Sequence, residues 1–165
     1  MNDLFIYIEQ VELIAFFSGL PVIWVLSNLF FRSKPFDTTL LYQILPYVYG
    51  ILSVLYVGMK LNAYWTNLFA GWFFGNYWHI FLKFWAISAI FFLLPIQHNF
   101  FKRCSFFHSL VFYAILAKDL ILFFNNRLSA ELIRNEWEMH LLSIVLAAVL
   151  ACILYCLFRF RFYRN

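Results

Sequence analysis

The stretch 139–158, MHLLSIVLAAVLACILYCLF, decides the fold, because its twenty residues include no Lys, Arg, Asp or Glu. A helix rises about 1.5 Å per residue, so a run of this length covers a hydrocarbon core of about 30 Å. Four more apolar runs lie upstream, at about 11–31, 40–59, 78–97 and 104–124. Their charges are Glu12 near one end and Lys83, Lys118 and Asp119 inside. The expectation is an all-α, polytopic transmembrane helical bundle of five spans, forming a single domain over 1–165.

Composition points the same way. Hydrophobic residues make up 65% of the chain, against roughly 45–50% in soluble domains, and charged residues 12%, against roughly 25%. Mean hydropathy is +0.80. A disordered chain and an ordinary soluble domain are excluded. Three cysteines, Cys104, Cys152 and Cys156, all in or beside apolar runs, make a disulfide framework a poor reading. The net charge of +4 comes from basic residues scattered between apolar runs. It therefore reports topology, and no nucleic-acid partner is expected.

The positive-inside rule orients the bundle. Arg32, Lys34, Lys102, Arg103, Arg159, Arg161 and Arg164 fall on one side, and Lys60, Arg127 and Arg134 on the other. Seven against three puts the N-terminus outside and the C-terminus in the cytoplasm. The opening MNDLFIYIEQVE lacks the positive n-region of a secretory signal, so the first run is expected to be retained as a span. Residues 61–77 place Trp65, Phe69, Trp72 and Phe73 at helical spacing among Asn62, Thr66, Asn67 and Asn76. They read as an interfacial segment at the outer surface. Residues 126–138 read as a surface helix or as the first turns of the last span. Pro21 and Pro46 are expected to kink spans 1 and 2. Ser143, Ala147 and Ala151 form a small-residue stripe suited to close helix packing, within the chain or between copies.

Ionisable residues inside the bilayer carry the functional signal. Lys83 and Asp119 lie about five residues, or roughly 8 Å, below the outer edge of adjacent antiparallel spans. Lys118 is next to Asp119, Glu12 opens span 1, and His79 and His140 open spans 3 and 5. These six residues form a candidate outer-leaflet polar pocket. Asp119 is too short to snorkel, so it is expected to be buried and paired with Lys83 or Lys118. His108, Phe112, Ile115 and Asp119 share one helical face, an arrangement a proton path could use. No metal site is expected, because Cys152 and Cys156 lack companion ligands. Haem b, held by His79 with His140 or by His98 with His108, is the one cofactor alternative.

No HExxH, GxSxG, P-loop or GxGxxG motif is present, so no catalytic residues can be named and an enzyme is not indicated. The first functional reading is a helical subunit of a larger or self-associated assembly, whose partners are the lipid bilayer and another protein or a second copy. The alternative is a small transporter, channel or proton-coupled protein using the polar pocket. The third is a lipid-acting membrane enzyme or haem carrier. A bacterial inner membrane is the expected location, with an organellar membrane as the alternative.

Overall fold

A computed structural model describes residues 2–30, 38–63, 77–94 and 99–162. The described residues are helical with short connections and contain no strand. They form α1 (Asn2–Phe17), α2 (Gly19–Phe30), α3 (Thr38–Ala63) and α4 (Tyr77–Ser88), the last prolonged by a 3₁₀ turn (Ala89–Leu93). Then follow α5 (Asn99–Leu110), α6 (Tyr113–Phe124) and α7 (Ala130–Phe162). Four stretches are long and apolar enough to cross a membrane: Ile6–Ser27, Leu40–Asn62, Arg103–Phe124 and Ala130–Phe160. The third expected run is a shorter apolar helix, Tyr77–Leu93. The expected interfacial segment lies mostly outside the described residues, as does His98.

Local chemistry explains where the helices break. Pro21 has no N–H, so the carbonyl of Phe17 loses its donor, and the helix is interrupted at Ser18. Pro21 then sits in the first turn of α2, where a missing donor costs least. Pro46 is tolerated inside α3, which runs on from Thr38 to Ala63. Pro95 disfavours helical geometry in the residue before it, and Leu94 is extended at φ −64° and ψ 138°. The third run therefore tightens and stops earlier than its apolar pattern suggests. At the end of α6, Asn126 adopts φ 54°. The Asn126 and Arg127 N–H groups return to the carbonyls of Phe123 and Leu122, both at 2.9 Å. That is a Schellman close, with Asn in the left-handed position. Ser129 then caps α7 through the Leu132 N–H, at 3.4 Å. Residues 130–138 are thus the opening turns of one continuous helix.

Cross-contacts fix the helix directions. Glu12 meets Lys60, Phe17 meets Tyr49 and Trp24 stacks on Tyr42, so α1–α2 runs antiparallel to α3. Gln10 meets Asp119, Phe17 stacks on Phe112 and Trp24 packs on Phe106, so α1–α2 is also antiparallel to α5–α6. Tyr7 bonds Leu132, Gln10 bonds Glu136 and Gly19 bonds Ser143, so it runs parallel to α7. The stripe Ser143, Ala147 and Ala151 is buried inside the chain. A Cβ built on Gly19 would overlap the backbone of Ser143 and Ile144. That close approach is what small residues permit in membrane helices.

Candidate functional site

One end of the bundle holds a layer of buried charge. α1 contributes Glu9, Gln10 and Glu12 from its middle turns, and α3 contributes Lys60 from its last turn. α4 contributes His79 and Lys83, one turn apart on its buried face with Leu82 and Ala86. α6 brings Lys118 and Asp119, and α7 brings Glu136.

The layer divides into two groups. In the first, Lys83 Nζ donates to Glu9 Oε1 at 2.9 Å and lies 2.8 Å from Oε2. Lys60 pairs with Glu12 and lies 3.9 Å from Glu9. Two carboxylates thus face two ammonium groups. This pairing lets Lys83, only 1% exposed, stay inside the protein, because an unpaired buried charge costs several kcal/mol. In the second group, the Gln10 side-chain amide donates to Asp119 Oδ2 and to Glu136 Oε1, the latter at 3.3 Å. Asp119 and Glu136 thus share one donor nitrogen, Gln10 Nε2. Lys118 Nζ stands 3.4 Å from Asp119 Oδ1, and its side chain is 47% exposed.

A neutral polar level lies at the Ser18 break. Ser18 O–H donates to the Ile14 carbonyl at 2.6 Å. Its oxygen is then the acceptor for His140 Nδ1–H, at 2.8 Å. Tyr113 O–H approaches His140 Nε2 at 3.5 Å. This assigns His140 as the neutral Nδ1–H tautomer. Nearer the other end, Ser88 O–H donates to the Trp85 carbonyl at 2.7 Å and accepts from His108 Nε2 at 2.8 Å. Tyr49 O–H donates to His108 Nδ1 at 2.7 Å, and the ring lies flat on Trp85 with centroids 4.2 Å apart. Both ring nitrogens of His108, and Nδ1 of His140, are thus engaged within the fold. Among the described residues there is no group of three or more His, Cys, Asp or Glu placed for a metal ion.

The residues singled out from sequence therefore occupy different places. Glu12, His79, Lys83, Lys118 and Asp119 fall in the charged layer, whereas His140 sits one level deeper, with Ser18. Asp119 is 3% exposed, with Lys118 as its cation, while Lys83 is held by Glu9. Of the shared face on the fourth run, Phe112 and Ile115 are buried apolar groups between His108 and Asp119. Glu9, Gln10, Lys60 and Glu136 were missed as site residues. Glu136 was within reach of pattern reading. Positions 136, 140, 143, 147 and 151 follow one helical stripe, so the packing stripe could have been extended backwards onto it.

Comparison of the chain with protein-family models, with curated proteins and with solved structures finds no match.

Proposed function

We propose that the chain is a small multi-pass membrane transporter that moves an ion or small charged solute, with the charged layer as its binding site. The observation that carries this reading is the convergence of Glu9, Glu12, Lys60, Lys83, Lys118, Asp119 and Glu136 from α1, α3, α4, α6 and α7 at one end of the bundle. Charges inside membrane bundles are costly and mark ion or substrate pathways. The interruption at Ser18 adds support, since discontinuous helices build many transporter sites. The assembly-subunit reading drew on the stripe at Ser143, Ala147 and Ala151, and that surface is occupied within the chain. We place the charged layer on the extracytoplasmic side, with five crossings and a cytoplasmic C-terminus.

The test uses purified protein in proteoliposomes, with imposed gradients of protons, sodium, potassium or chloride and a fluorescent reporter for each ion. Flux above that of empty vesicles, reduced at least tenfold by Asp119→Asn in a variant that elutes like the parent, is the expected result. No flux for any of these ions would sink this reading and return the chain to the subunit class.

A further inference from the structure

We propose that Asp119 and Glu136 hold a single exchangeable proton between their carboxyl groups, with Gln10 as the fixed amide that orients both. The proposal rests on the transporter reading and names its ion as the proton. Hydrogen-bond arithmetic is the first support. Ionised carboxylates only accept, and the two N–H groups of Gln10 are already shared between the pair. Glu136 is 1% exposed, and its Oε2 meets no donor among the described residues. Glu136 and Asp119 nevertheless converge on one donor atom, Gln10 Nε2. One proton on Glu136 turns one of two neighbouring acceptors into a donor and removes the charge from a carboxyl group whose second oxygen has no donor.

Charge arithmetic is the second support. Glu9 and Glu12 are matched by Lys60 and Lys83, whereas Asp119 and Glu136 have Lys118 between them. Lys118 is the one cation within ion-pairing distance of these two carboxylates among the described residues, 3.4 Å from Asp119 Oδ1. Two carboxylates in one desolvated place do not both ionise, and a bound proton leaves a neutral acid beside the Asp119–Lys118 ion pair. The surrounding groups leave that assignment in place. From α1, Tyr7 gives its O–H to the Leu132 carbonyl at 3.2 Å, and Glu9 is engaged by Lys83. From α4, His79 and Lys83 face the same region, but a proton on His79 would still leave Glu136 Oε2 without a donor. Loading forms an O–H bond on a carboxylate oxygen and consumes one hydronium ion; release reverses it.

The experiment is infrared spectroscopy of the full chain in detergent, titrated from about pH 5 to about pH 9. A protonated-carboxyl C=O band is expected near neutral pH, shifting in heavy water and unaffected by sodium. Glu136→Gln should abolish it, because the amide donates to Asp119 in the proton's place. Asp119→Asn should do the same from the other side. Absence of the band throughout, its survival in both variants, or its saturable removal by sodium would overturn the proposal, the last indicating a cation site. Flux in proteoliposomes without the band would sink the proton pair and leave transport standing. The band without flux would do the reverse.

Discussion

Glu9 holds the most demanding position at the residue scale, because one buried carboxylate lies 2.8 Å from Lys83 and 3.9 Å from Lys60. Removing one partner of a buried pair strands the other, at about 3–5 kcal/mol. Glu9→Gln removes the carboxylate nearest Lys83 and leaves Lys60 with Glu12, whereas Lys83→Met leaves Glu9 with Lys60. Chemical unfolding in micelles should therefore rank Glu9→Gln as the more damaging change. The double variant should cost less than the sum of the two. Strict additivity would mean that the ion pair contributes no coupling. The presence of charge at this depth was legible in the sequence, since Asp119 is too short to snorkel and Lys83 sits within an apolar run. The pairing was not. Lys83 reaches α1 as well as its own neighbours in the chain, and which helix stands opposite it depends on packing among residues 74 positions apart.

Close approach and chain reversal govern the helices at the element scale, and two glycines separate the effects. A methyl group at Gly19 has to displace the backbone of α7, while at Gly58 it meets nothing within 4 Å. Gly19→Ala is expected to cost about 3 kcal/mol, at the upper end for overpacking. Gly58→Ala should be neutral or stabilising by up to about 1 kcal/mol, through helix propensity. Equal effects on thermal unfolding would refute the close contact. At the α6–α7 turn, Asn126→Gly should be tolerated at φ 54°, while Asn126→Val should destabilise by about 1–2 kcal/mol, because a β-branched residue strains there. Comparing the two melting temperatures checks this. The breaks at Ser18 and Leu94 follow from Pro21 and Pro95, so their cause was written in the sequence. The Gly19–Ser143 contact was not, because it joins residues 124 positions apart and small residues reveal their partner only once two helices are paired.

The direction of the helices bears on topology at the scale of the whole molecule. α3 and α5–α6 are both antiparallel to α1–α2, and so run the same way. A chain that crosses a membrane twice in the same sense must return between the two crossings. The described segment available for this is Tyr77–Leu93. Twelve α-helical residues and five in a 3₁₀ turn span about 28 Å, close to the roughly 30 Å core, although the count of residues falls short of a standard span. α7, at about 50 Å for 33 residues, is longer than the core is thick. Five crossings put the termini on opposite faces, while four would put them on the same face. The basic residues bear on the sign: Arg103 and Arg159 lie at the end away from the charged layer, the end that the proposed orientation makes cytoplasmic. In a background with Cys104, Cys152 and Cys156 changed to Ser, Asn125→Cys should react with a membrane-impermeant maleimide in intact cells. Arg159→Cys should react only after permeabilisation, and an N-terminal epitope should be accessible without it. The reverse pattern at positions 125 and 159 would invert the bundle. Termini found on the same face would mean that Tyr77–Leu93 does not cross, and α3 and α6 could not then share a direction in the membrane.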